Sequence, residues 1–196
     1  QTFADQAVIA IENVRLFTEL GIRNLDLTTA LEQKSATAEV LRVIAGSPTD
    51  TQPVFDLVAQ RAGVLCKAEV AVVSRYDGAT IELAAIDGLA PEAIRIVRGL
   101  YPLDVRTETV TSRVIRHAEV VHVPDVMHDT DYAAKDLARA AQYRAALGVP
   151  IMRNGKVIGT IFVGRATPGP FSDSQVDLLQ TFADQAVIAI DNVRLF

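Results

Sequence analysis

Arg106, Thr107, Thr109, Thr111 and Ser112 lie close together, at the approach to a stretch, Thr109–His117, that reads as a short helix. One cation and four hydroxyls at a helix start suit an anionic ligand. The first N–H groups of a helix lack internal partners, and the dipole there is positive. The same residues suit plain capping, with Thr111 or a near neighbour taking one of those N–H groups in a solvated loop. The sequence leaves both readings open.

Other chemistries find less support. His117, His122 and His128 fall at a helix end, on a strand and in a loop, and no cysteine joins them. Asp125, Asp129 and Asp131 near them are turn formers. No metal site is expected. Ser112 and His117 share one short helix but are five positions apart, so their side chains diverge. A nucleophile needs its base within hydrogen-bond reach, and no catalytic residue is expected. Cys66 is the only cysteine; it reads as a small buried hydrophobe and excludes an internal disulfide.

The whole chain sets the frame for these residues. Of its 196 residues 49% are hydrophobic, enough for a real core and too many for a disordered chain. The net charge is −5, so neither a nucleic acid nor an anionic membrane surface is an expected partner. No apolar run approaches the ~18 residues that crossing a bilayer takes. The absence of a signal pattern and the single cysteine fit a reducing cytoplasm.

The elements that must position the site alternate in type. Residues 52–66 read as a helix, with Thr51 as its cap and Phe55, Val58, Ala62 and Leu65 as its apolar stripe. Two strands, 69–78 and 80–88, meet at Asp77-Gly78 as a hairpin. Short helices follow at 91–100, 109–117 and 131–142, with a strand at 119–125 stopped by Pro124. A second hairpin, 144–165, turns at Asn154-Gly155, and Ser172 or Asp173 caps the final helix. Val157, Ile158, Ile161, Phe162 and Val163 are apolar at odd and even positions alike, so that strand is covered on both faces. The fold class is therefore α+β, a mainly antiparallel sheet with helices on both sides. The layer from Pro91 to Gln142 is irregular and polar, and pockets form in such layers.

The ends of the chain repeat. Gln1–Phe17 and Gln180–Phe196 are identical at sixteen of seventeen positions, with Glu12 answered by Asp191. The offset is a domain plus a connector, too long for a solenoid unit. The reading is a tandem array cut from a longer protein: residues 1–17 are the last helix of a preceding unit, 18–47 a helical linker, and 48–196 one domain with its C-terminal helix. Within the linker, Leu20, Asn24, Leu27, Leu31, Lys34, Ala38 and Leu41 alternate four and three apart. That is a heptad seam, with Lys34 as a polar interruption, and Leu20, Asn24, Leu27, Leu31, Ala38 and Leu41 are the candidate dimer contacts.

The stretches "TVTSRVIRHAEVVHVPDVMHDTDY", "YRAALGVPIMRNGKVIGTIFVGR" and "PFSDSQVDLLQTFADQAVIAIDNVRLF" resemble a GAF domain over roughly Thr51 to Phe196. The likeness is greatest to the serial GAF units of bacterial sensor histidine kinases of two-component systems. Ser112 departs from it, standing where glycine is common. The resemblance implies a sheet with helices on each face, long terminal helices that dimerise, and in some members a bound small molecule. By similarity to chromophore-binding relatives, Val72, Ser74, Thr160 and Phe162 face the upper layer, with Tyr76 at its rim and His122, Tyr132 and Tyr143 as walls. A covalent bilin is not expected, since no cysteine lies in that layer, and a GAF-type methionine sulfoxide reductase would need several redox thiols. The cofactor expectation is a small anionic ligand or none.

The functional expectation is a non-catalytic sensory module in a cytoplasmic signalling protein. It pairs in parallel with itself through the terminal helices and passes a conformational change to adjoining GAF or output domains. The alternative is a structural dimerisation spacer with no ligand.

Overall fold

The computed structural model describes residues 12, 15–21, 23, 24, 30, 31, 34, 35, 38, 39, 42 and 50–194, with side chains to 191. It divides into two units, residues 1–38 and 39–196. In the first, every described residue is helical, with Arg15–Glu12 and Arg23–Glu19 ion pairs at 2.8 Å along its surface. Leu20, Asn24, Leu31 and Ala38 are exposed there; Leu27 and Leu41 lie outside the described residues. The boundary expected at 17 falls inside the helical stretch 15–21, and the one expected at 47 lies outside the described residues.

The second unit is built on a six-stranded antiparallel sheet in the order β3-β2-β1-β6-β5-β4. Its strands are β1 (Val70–Tyr76), β2 (Thr80–Asp87), β3 (Leu103–Asp104), β4 (Val121–Val123), β5 (Ala145–Arg153) and β6 (Lys156–Arg165). Its helices are α1 (Gln52–Cys66), α2 (Pro91–Leu100), α3 (Val110–His117), α4 (Lys135–Ala140) and α5 (Asp173–Arg194). The sheet with helices on both faces is the α+β fold that the sequence implies.

Both hairpins turn where turn chemistry places them. Asn154 and Gly155 have φ of 51° and 75°, the backbone of a two-residue turn that matches strand twist. At the other hairpin the Asp77 carboxylate accepts from the Ala79 and Thr80 amides, each at 2.8 Å, and Gly78 takes φ of 101°.

One face of the sheet carries α1 on β1 and β2, and α5 on β5, with the two helices touching each other. Val54, Phe55, Val58, Ala62, Leu179, Phe182 and Ala186 are all but inaccessible there. Leu65, expected in the stripe of α1, is half-buried. The opposite face carries α3 against β4, β5 and β6, with α2 touching α4. Gly148 makes the close seat of α3 possible. A Cβ there would meet Val110 Cγ1 at 2.7 Å and Val114 Cγ2 at 2.8 Å.

Two local expectations need correction. Thr51 makes no side-chain cap on α1; the Asp50 carboxylate accepts from the Gln52 amide at 2.9 Å instead. Helix α4 covers only Lys135–Ala140 of the expected 131–142. Its first third is a turn, because the Asp131 amide donates to Asp129 Oδ1 and the Ala133 amide to the Glu108 carbonyl. Gln142, at φ of 56°, ends it, and the Tyr143 amide reaches back to the Ala138 carbonyl at 3.0 Å. Strand β3 is two residues long, too short to leave a period in the sequence. At α5 the open choice falls on Ser172. Its oxygen faces the Gln175 amide at 3.4 Å while Gln175 Oε1 accepts from the Ser172 amide at 3.0 Å.

Candidate functional site

Alternation along β1 and β6 puts Val72, Ser74 and Tyr76, and Thr160 and Phe162, on one face. Val72 pairs with Phe162 and Ser74 with Thr160. That face looks toward α2, α3 and α4. Between them lies a cavity of about 40 Å³. Its floor is Val70, Val72 and Phe162, and its cover is Val97, Leu100, Ala134, Leu137 and Ala141. Leu100 is 42% exposed, so the mouth lies on the α2 side.

Hydroxyls give this apolar space its polar features. Tyr101 follows directly on α2, and its hydroxyl meets Ser74 Oγ at 2.8 Å. The Tyr132 and Tyr143 hydroxyls meet at 2.7 Å. Burial pushes the phenol of Tyr132 up to about 12 and those of Tyr101 and Tyr143 upward as well, so all three stay protonated. The Tyr143 ring stands edge-on to Phe162, with centroids 5.5 Å apart. It lies over Gly164, where a Cβ would come within 2.8 Å of the ring.

Of the residues singled out in the sequence, Val72, Thr109, Thr111, Tyr132, Tyr143 and Phe162 line this cavity. Ser74 joins it through Tyr101. Thr160 is fully buried beside Ser74, and its Oγ1 has no hydrogen-bond partner. Tyr76 sits in a satellite cluster with Ile81, Leu103 and Ile115, donating its hydroxyl to the Gly78 carbonyl at 3.0 Å. His122 is on the other face: it pairs with Leu147, which pairs with Val163, out of phase with Phe162. Its Nε2 accepts from the Phe171 amide at 3.1 Å, and burial lowers its pKa. His122 is therefore a neutral strut for the loop before α5 and no wall of the cavity.

The start of α3 is capped. Thr109 Oγ1, a near neighbour of Thr111, accepts from the Ser112 amide at 3.1 Å, and Ser112 Oγ donates to the Asp104 carbonyl at 3.2 Å. Arg106 points away, its side chain 85% exposed and held on Asp104, whose carboxyl falls to about 2. Thr107 contributes backbone, its amide donating to the Asp104 carbonyl at 3.0 Å. Arg113 binds Glu108 at 2.9 Å and also Asp129, joining α3 to the loops on either side. These bonds hold both carboxyls below their usual range.

Sequence reasoning missed Tyr101, Leu100 and Val97. Val97 and Leu100 belong to the small apolar face of α2, but Tyr101 lies past the helix end, where periodicity no longer reports direction. Two wider surface grooves, of about 570 and 670 Å³, carry mixed charges. In the second, Arg75 pairs with Glu82 at 3.1 Å and Arg153 with Asp191 at 3.4 Å. Cys66 is wholly buried, and burial pushes its thiol up to about 12. Among the described residues, no group of three or more His, Cys, Asp or Glu side chains is placed to hold a metal ion. No described helix is long and apolar enough to cross a membrane.

A family model for the GAF domain matches residues 50–190. The chain belongs to the GAF domain family. Solved GAF structures share the fold. The GAF domain of a phosphoenolpyruvate-protein phosphotransferase from Coxiella burnetii superposes with a TM-score of 0.71 at 18% identity, over 85% of this chain and 96% of that one. A domain of a putative two-component sensor histidine kinase from Sinorhizobium meliloti 1021 gives 0.59 at 19% identity, over 74% and 94%. The free methionine-R-sulfoxide reductase of Neisseria meningitidis gives 0.66 at 16% identity, over 86% and 93%. One fold thus serves proteins of different kinds, and function has to be argued from the site.

Proposed function

We propose that this GAF domain is a non-catalytic sensory module of a cytoplasmic bacterial signalling protein, such as a histidine kinase. In this reading it forms a parallel homodimer through its terminal helices and hands a conformational change to adjoining GAF or output domains. The observation that carries the reading is a shared wall. Val72 and Phe162 floor the cavity, while Val73, Ile161 and Val163, their neighbours in the same strands, are buried on the face that carries α1 and α5. Packed layers move between discrete arrangements more readily than they deform, so a change in the cavity biases the position of α5. A guest acts by binding one arrangement more tightly than the other.

Exposed apolar side chains support the pairing. Leu16, Phe17, Leu20 and Leu31 are 51–75% exposed in the first unit, and Val64 and Ile188 are 61% and 47% exposed in the second. Equilibrium sedimentation tests this point. The chain should sediment at twice its monomer mass, and Leu20→Glu with Leu31→Glu should halve that mass. A monomer at high micromolar concentration contradicts the proposal.

A structural dimerisation spacer is the second reading, and the small cavity favours it. About 40 Å³ is far below the ~300–1,000 Å³ of ordinary ligand pockets. The two readings share the dimer and differ in whether the cavity accepts a guest.

A further inference from the structure

We infer that the open edge of β2 takes one further strand, an extended peptide from another protein that carries carboxylates on one face and cations on the other. The edge lies outside the cavity and needs no guest in it.

Strand β2 has neighbours on both sides only at its start. β3 pairs with Thr80 and Ile81 alone, while β1 pairs with the rest as far as Asp87. Pro102, which has no N–H, precedes β3 and ends that row. From Glu82 onward the outer backbone groups of β2 meet no other strand among the described residues. The Ala84 carbonyl, at the bulge opposite Val73 and Ser74, accepts from Gln52 Nε2 at 2.8 Å. A side chain there stands in for the amide of a neighbouring strand. Such a row of N–H and C=O groups is a template for strand addition.

Along the edge runs the groove of about 570 Å³. Glu82 to Ile86 form its floor, Gln52 and Asp56 of α1 one wall, and Arg98, Tyr101 and Pro102 the other. That floor spans about 14 Å of extended chain, room for a guest of about five residues.

Register decides which wall each guest side chain meets. Leu83 and Ile86 pair with Ser74 and Val72 and lie on the side of α2, whereas Glu82 and Ala85 pair with Arg75 and Val73 and lie on the side of α1. A strand laid beside β2 turns its successive side chains to the same two sides. On the α2 side the Arg98 guanidinium is exposed and has no ion pair or hydrogen bond among the described residues. On the α1 side the charges are acidic: Asp56 holds the Gln52 amide at 2.9 Å, and Glu82 shares Arg75 at 3.1 Å. Guest carboxylates therefore suit the first side and guest cations the second, on successive residues. A second copy of β2 fits badly. Laid antiparallel, it brings Asp87 of one copy across from Glu82 of the other on the same face, and like charges across strands repel.

The acetylated, amidated peptide Val-Lys-Glu-Lys-Val tests this, with its glutamate and valines on one face and its lysines on the other. It is titrated at millimolar concentration into the full isotope-labelled chain and read by NMR. Saturable shifts should centre on the amides of Glu82 to Asp87. The same peptide N-methylated throughout, which cannot complete the backbone row, should leave those amides unmoved. The charge-exchanged peptide Val-Glu-Lys-Glu-Val should bind about five-fold more weakly, and Arg98→Glu, a change at an exposed position, should remove most of that difference. Equal binding of the two charged peptides to the wild type, or a difference that Arg98→Glu leaves intact, overturns the partner chemistry. Binding of the N-methylated peptide overturns strand addition. No saturable shift at Glu82 to Asp87 overturns the edge as a docking site. Shifts of the same amides on concentrating the protein without peptide assign the edge to a second copy and overturn the proposal likewise.

Discussion

Tyr101, at the end of α2, places its hydroxyl 2.8 Å from Ser74 Oγ at the centre of β1. One bond thus ties the cover of the cavity to its floor. Ser74 is fully buried and Tyr101 half-buried, so Ser74 depends on the phenol for a partner. Tyr101→Phe should cost about 1–2 kcal/mol of stability in a denaturant titration, because Ser74 is left without a tyrosine partner. Adding Ser74→Ala should cost less than its single-variant value, and additive losses would show that the pair is not coupled.

Gly148 seats α3 on the sheet, and Gly148→Ala should cost about 1–3 kcal/mol through overpacking. The added Cβ would collide with Val110 and Val114, whose branched side chains have little freedom to give. Trimming one neighbour by Val114→Ala should recover part of the loss. Thermal melts of the single and double variants read both effects.

His122 gives the chain a dependence on mildly acid pH. Burial holds its folded pKa below the ordinary value of 6.5. Below that value the unfolded chain binds a proton that the folded chain refuses, so stability is full above it and falls as pH drops. The melting temperature should decline between pH 7.5 and 5.5, a window above the range where carboxylates titrate. His122→Asn cannot take up the proton and should flatten that decline. An unchanged slope in the variant would remove His122 as the cause.

Cys66 should behave as a core residue. Its thiol has no exposure and, pushed up to about 12, almost no thiolate at pH 8. A disulfide reagent such as dithionitrobenzoate should label it only at the rate of unfolding. Rapid labelling of native protein would reopen a redox role.

Much of this was legible in the sequence because short-range rules decide it. Asn154-Gly155 marked its turn, and the apolar run of β6 marked a strand covered on both sides. Alternation, joined to the family resemblance, put Ser74 and Thr160 on the face of Val72 and Phe162. What the sequence did not show depends on contacts between distant segments. Among the near neighbours left open, Thr109 caps α3 because Val110 already lies inside the helix. Helix α4 loses its first turn to hydrogen bonds with Asp129 and Glu108. His122 reads as a site residue by type, yet strand register turns it to the other face. Tyr101 follows a helix and carries no period, so only the folded chain brings it to Ser74.

The sensory reading requires the cavity and α5 to communicate across the sheet they share. Amide and methyl NMR spectra of the wild type and of Ala141→Leu report on that coupling. Filling the cavity should shift not only Val72 and Val110 but also the amides of Leu179, Phe182 and Ala186 on the far side. Shifts confined to the cavity side, with α5 unmoved, would contradict the sensory account.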